Sequence, residues 1–95
     1  MTLSEFKEAN PAQFHGALLA LWWDVHGDWQ RAHELAQEIE DSAGAWVHAY
    51  LHRKEGDLGN AGYWYRRAGR PVVTGDLELE CAHIVETMLG GLSQG

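Results

Sequence analysis

The sequence predicts an all-α domain of about six helices, packed as antiparallel helical hairpins, and three observations predict it. A helix-breaking Gly-Asp pair occurs twice, as Gly27-Asp28-Trp29 leading to Ala32 and Ile39, and as Gly56-Asp57-Leu58 leading to Ala61 and Ala68. The copies stand 29 residues apart, and the same offset pairs Ala20 with Ala49. Apolar residues recur at helical spacing, whereas the only β-branched run, Val72-Val73-Thr74, is too short to build a sheet. A repeated helix–turn–helix unit implies stacked hairpins rather than a single bundle.

The punctuation of the chain places each helix. A short first helix is expected over 3–9. Asn10-Pro11 supplies a side-chain cap and a proline at the first helical position, so a second helix is expected from Pro11 to Gly27. Gly27 suits the left-handed position that ends a helix. Asp28 then caps a third helix, expected to reach about Glu40, and Asp41 or Ser42 caps a fourth that ends at Gly56. Asp57 caps a fifth, which ends near Gly69, and Pro71 blocks its continuation. Thr74 or Asp76 can cap a sixth helix through Leu89, and residues 90–95 read as a flexible tail. The whole chain, 1–95, reads as one domain with repeat-like units at 17–40 and 46–69.

Periodicity says which faces are inside. The third helix gathers Trp29, Ala32, Leu35, Ala36 and Ile39 on one face, with His33 and Gln37 at its border. The fifth gathers Leu58, Ala61, Trp64, Tyr65 and Ala68, with Asn60, Tyr63 and Arg67 as a polar strip beside Trp64. The sixth is expected to bury Leu77, Cys81, Ile84, Val85 and Met88. The second, from Phe14 through Val25, is apolar almost all round, which predicts enclosure by neighbours or by a homodimer contact through Trp22 and Trp23. The fourth has two apolar arcs with His48, His52 and Glu55 between them, which puts it at the centre of a layered arrangement.

Composition narrows the function classes. The net charge of −7 argues against nucleic acid and anionic membranes as partners. The longest apolar run, 17–23, is too short to span a bilayer, no basic leader precedes it, and the lone Cys81 excludes an internal disulfide framework. A cytoplasmic protein is the expectation. The basic residues are nonetheless concentrated: Arg53, Lys54, Arg66, Arg67 and Arg70 face only Glu55 and Asp57 between 51 and 71. They read either as complements to helix C-termini or as a local anion-binding patch.

The stretch Gly56-Asp57-Leu58-Gly59-Asn60-Ala61-Gly62-Tyr63-Trp64-Tyr65-Arg66-Arg67-Ala68 resembles the second half of a tetratricopeptide (TPR) or Sel1-like repeat, with Ala61, Tyr65 and Ala68 in the family's small and aromatic places and Pro71 near its helix-ending proline. The earlier copy is similar through Ala32, but Ala36 stands where an aromatic is expected. The resemblance spans about 17–71, with an offset shorter than the usual TPR period of about 34 residues. It implies a TPR-like right-handed stack of antiparallel helix pairs that binds a protein or peptide, with the outer helices as caps.

Two constellations carry chemistry. His48 and His52 are one helical turn apart with Glu55 next on the same stripe, so they can offer two imidazoles and a carboxylate to one metal ion, and His33 can join from the neighbouring helix. The same histidines also read as internal hydrogen-bonding groups. The second constellation sets the strip of Asn60, Tyr63 and Arg67 against that stripe across the Gly56-Asp57 turn. One strip member is expected to hydrogen-bond His48, His52 or Glu55, and Arg67 is expected either to pair with Glu55 or to bind a carboxylate or phosphate. No nucleophile elbow or phosphate loop is visible, and Cys81 on an apolar face reads as an inert core thiol. The expectation is a non-enzymatic module that holds an acidic peptide or small anion, using His33, Gln37, His48, His52, Glu55, Asn60, Tyr63, Trp64 and Arg67, with no cofactor required. The alternative is a metal-binding or hydrolytic protein built on His48, His52 and Glu55.

Overall fold

The computed structural model describes residues 1–94, with side chains through Leu89. Six α-helices follow in order: α1 (Leu3–Glu8), α2 (Gly16–Val25), α3 (Trp29–Gln37), α4 (Ser42–Lys54), α5 (Leu58–Ala68) and α6 (Leu77–Gln94), with one 3-10 turn at Pro11–Gln13. There is no strand among the described residues. None of the described helices is long and apolar enough to cross a membrane.

The two Gly-Asp turns are built alike. Gly27 and Gly56 sit at φ 88° and 90°, in the left-handed region that costs glycine least. The following Asp amides each bond the carbonyl five residues back, Asp28 to Trp23 and Asp57 to His52, both at 2.9 Å. Each Asp side chain then accepts from the backbone of the next helix, Asp28 from Arg31 at 3.0 Å and Asp57 from Asn60 at 3.3 Å. One short segment thus ends one helix and starts another. It yields two hairpins, α2–α3 and α4–α5, from the same local code.

Several sequence expectations are corrected. The helix expected to run unbroken from Pro11 is interrupted: Phe14 and His15 are extended, Gly16 takes φ 62°, and α2 begins there. The interruption turns Phe14 back onto Phe6, with ring centroids 4.9 Å apart, so tertiary packing overrides the local helix preference. The third helix ends at Gln37 rather than near Glu40, and Ile39, beyond its end, packs closely on Gly44 of α4. A Cβ on Gly44 would come within 2.5 Å of Ile39 Cγ2 and 2.7 Å of the Ile39 carbonyl oxygen. The sixth helix continues past Leu89 to Gln94, through most of the segment read as a tail; Gly95 lies outside the described residues. Within the single chain the second helix is only partly enclosed: Ala17, Ala20 and Leu21 are buried, but Leu18, Leu19, Trp22 and Trp23 are half-buried. Leu58, assigned to an apolar arc, is 67% exposed.

The fourth helix is the centre, as its two apolar arcs predict. Residues 44–52 are all buried, and α2, α3, α5 and α6 pack around it. The burial includes charge. Glu80 of α6, whose side chain is 1% exposed, accepts from Arg53 Nε of α4 at 2.9 Å. Its other carboxylate oxygen accepts from Tyr65 OH of α5 at 2.6 Å and from Trp46 Nε1 of α4 at 3.2 Å. Arg53 also donates to the Gly75 carbonyl at 2.9 Å, and the Arg70 guanidinium covers the Trp46 ring at 3.5 Å. On the opposite flank, buried Asp24 of α2 receives Lys54 Nζ of α4 at 3.0 Å.

Two stability measurements check these assignments. Urea unfolding of Glu80→Ala should show a loss of about 3–5 kcal/mol, because Arg53 is left as a buried charge without its partner; a loss under about 1 kcal/mol would contradict the network. Gly44→Ala should destabilise through its collision with the Ile39 backbone, whereas Gly62→Ala, with nothing nearer than 3.9 Å, should stabilise α5 by roughly 0.5–1 kcal/mol. Equal effects at the two glycines would remove the close-packing argument.

Candidate functional site

Where α3 meets α4, three imidazoles converge. His48 and His52 lie one turn apart on α4, and His33 reaches them from α3. One ligand atom from each falls within 4.8 Å of the others. Ring centroids are 4.7 Å apart for His33 and His48, 5.1 Å for His33 and His52, and 4.9 Å for His48 and His52. His33 Nε2 and His48 Nε2 are 3.0 Å apart, so one donates to the other. His52 Nδ1 donates to Glu55 Oε1 at 3.0 Å, which leaves its Nε2 unprotonated when the ring is neutral.

Aromatic walls hold the cluster. Trp29 stacks on His33, with centroids 4.8 Å apart and planes at 7°, and is itself anchored by Nε1 donating to the Leu51 carbonyl at 2.9 Å. Trp64 of α5 stacks on His48 at 3.9 Å and 15°. Burial, followed by the neighbouring His33 and His52 rings, pushes His48 down to about 4. Burial, and then His52, also lowers His33 below the usual imidazole range. Both are therefore neutral near pH 7, the form with a lone pair to share.

Internal hydrogen bonding leaves the cluster incomplete. His48 Nδ1 is buried and has no partner. If His48 donates through Nε2, Nδ1 is a lone pair without a donor; if His33 donates instead, Nδ1 carries a proton without an acceptor. Either tautomer leaves one buried polar atom unsatisfied, at a cost of roughly 1–3 kcal/mol.

The metal set expected from sequence is thereby redrawn. Glu55 touches His52 rather than completing a site with His48 and His52, and His33 takes its place in the cluster. Glu55 and Asp57 form a second, more exposed group with His52. The reason lies in helix geometry: Glu55 is the C-cap of α4, three residues beyond His52, and its side chain folds back onto the near nitrogen.

The strip on α5 does not make its expected hydrogen bond. Asn60 donates to Asp57 at 2.7 Å, and Arg67 Nη1 donates to Tyr63 OH at 3.1 Å; neither reaches His48, His52 or Glu55. The α5 face that meets α4 buries Ala61, Tyr65 and Ala68, which leaves Tyr63 on the outside, 43% exposed. Trp64 makes the crossing instead, by stacking. The Arg67 guanidinium lies 5.3 Å from the Trp64 ring and forms no ion pair among the described residues. Trp64 and Arg67 line a cleft of about 260 Å³ with Gln37 at the end of α3 and with Ile39, Glu40 and Asp41 of the α3–α4 connection.

The basic concentration of 51–71 divides. Arg53 and Lys54 neutralise Glu80 and Asp24, and Arg70 lies on Trp46, so Arg66 and Arg67 remain for solvent or a ligand. Sequence reasoning missed the buried carboxylates Asp24 and Glu80 and the part played by Trp29. Trp29 stands four residues before His33 on one helix face, and that spacing is the signal that points to it. Comparison with known protein families, with curated proteins and with solved structures finds no match.

The inert-thiol expectation for Cys81 fits its setting. The residue is 2% exposed, and burial, with the Asp24 charge added, raises its thiol to about 11. The thiol therefore stays protonated below that pH. Alkylation of the native chain at pH 8 should be far slower than in urea and should follow the opening rate of the fold; modification at the rate of a free thiol would show that Cys81 is accessible.

Proposed function

We propose that this chain is a non-enzymatic binding module, a stack of TPR-like hairpins that holds its ligand where the α3–α4 connection meets α5. The observation that carries the proposal is the state of Arg67. Its guanidinium is held by Tyr63 OH and the face of Trp64, lines the cleft, and is joined to no carboxylate among the described residues. A planar fork fixed this way is prepared for a carboxylate or phosphate oxygen pair.

The opposite wall refines the ligand. Glu40 and Asp41 line the same cleft, so a strongly acidic peptide meets repulsion there. Asp41 Oδ1 already caps α4 through Gly44 at 2.8 Å, and Glu40 is exposed. A ligand with one anionic group for Arg67 and a hydrogen-bond donor or cation for Glu40 fits better. Ile39, Ala45 and the Trp64 ring supply an apolar floor between the two ends. A peptide with a free C-terminal carboxylate, or a small amino-carboxylate, has this chemistry.

Short peptides with a free carboxylate, compared with the same peptides as C-terminal amides, test the reading by calorimetry. The free acids should bind more tightly, lose affinity as salt rises, and lose about tenfold or more in Arg67→Ala, since a hydrogen bond to a charged group is worth roughly 1.5–3 kcal/mol. Equal affinity for acid and amide, or no effect of Arg67→Ala, would overturn it.

A further inference from the structure

We propose that His33, His48 and His52 form a binding site for one divalent transition-metal ion of the zinc class, with Glu55 as the group that orients His52. The site adjoins the Arg67 cleft through Trp64, but neither proposal requires the other.

Geometry carries the inference. Two imidazole nitrogens bound to one tetrahedral ion at about 2.0–2.1 Å lie roughly 3.3 Å from each other. His33 Nε2 and His48 Nε2 already stand at 3.0 Å. An imidazole centroid lies about 3.2 Å from a metal bound to its nitrogen, so rings at coordination angles of 90–109° have centroids about 4.5–5.2 Å apart. All three pairs, at 4.7, 5.1 and 4.9 Å, fall within that interval. The His48 and His52 rings are stacked at 19°, so the ligand atoms, spread within 4.8 Å, must turn as well as close inward, a movement of side chains on fixed helices.

The surroundings are those of a metal site rather than of a finished hydrogen-bond network. The Glu55 carboxylate accepts from His52 Nδ1 at 3.0 Å, which fixes the tautomer and presents Nε2 as the ligand. Trp29 and Trp64 hold the His33 and His48 rings by stacking, so both orientations are set in advance. Three buried or half-buried imidazoles share a single nitrogen–nitrogen hydrogen bond. A hydrogen-bonding role accounts for only part of this cluster.

Donor chemistry selects the ion. Three imidazole nitrogens favour Zn²⁺, Cu²⁺, Ni²⁺ or Co²⁺ over Mg²⁺ and Ca²⁺, which demand oxygen. Three protein ligands also leave at least one coordination position for a water or another small donor. His15, His26 and His83 are exposed and take no part.

The test uses the full chain, stripped with a chelator and titrated with Zn²⁺ and Co²⁺. One equivalent should bind, and Co²⁺ should show the visible bands of a low-coordinate nitrogen site. His33→Gln and His52→Gln should each weaken binding at least tenfold, Glu55→Gln about 10–100-fold, and His15→Gln not at all. Circular dichroism establishes that each variant is folded. Wild-type ¹⁵N histidine spectra give an answer free of mutation: Zn²⁺ should shift the Nε2 resonances of His33, His48 and His52 together. Absence of one-to-one binding, binding that persists unchanged in His33→Gln, or shifts confined to the exposed histidines would each overturn the assignment.

Discussion

The structure depends on one buried carboxylate. Glu80 sits where α4, α5 and α6 meet, and the guanidinium, phenol and indole that fill its lone pairs come from two of those helices. An ionised carboxylate taken out of water costs several kcal/mol before any partner is counted, so its position is tolerated only because each contact is satisfied together. The arrangement fixes register as well as energy. Sliding α6 by one residue along α4 would leave Arg53 and Glu80 both buried and separated. Burial, and then the bond to Glu80, raises the Tyr65 hydroxyl above its ordinary range, which keeps the phenol protonated as the donor the network needs.

The helix that holds Arg53 and Trp46 in this network also carries two of the clustered imidazoles. Trp46 and Arg53 face α6, while His48 and His52 on the same helix face α3. The fourth helix therefore divides its polar residues between two seams, one that closes the core and one that gathers imidazoles. Its short sequence does both because 3.6 residues per turn carry positions 46 and 53 to one side and 48 and 52 to another.

Much of the architecture was legible in the sequence because it is coded locally. Each Gly-Asp pair specifies its own turn, and Asp28, Asp41 and Asp57 cap the helices that follow them. The interruption at His15–Gly16 was not legible, since Asn10-Pro11 is a strong helix start and the contact between Phe14 and Phe6 that breaks the helix is nonlocal. Glu80 was hidden for a similar reason: beside Glu78 it reads as an N-terminal acidic residue of a surface helix, and only the packed partners show it is inside. Among the site residues, the i, i+4 pair of His48 and His52 and the border position of His33 were readable, because a single helix fixes them. The rotation of α5 against α4 was not. Alanines at 61 and 68 set that rotation, and it brought Trp64 to the histidines and left Tyr63 and Arg67 outside.

Trp64 gives the two proposed sites a common wall. The same indole stacks on His48 and borders the cleft lined by Arg67. An occupant that shifts this ring is therefore felt by the other occupant, and linkage makes the influence mutual: whatever factor an ion at the imidazoles applies to a ligand beside Arg67, that ligand applies to the ion. A single side chain in this small fold can thus carry communication between two bound species without any movement of the helices.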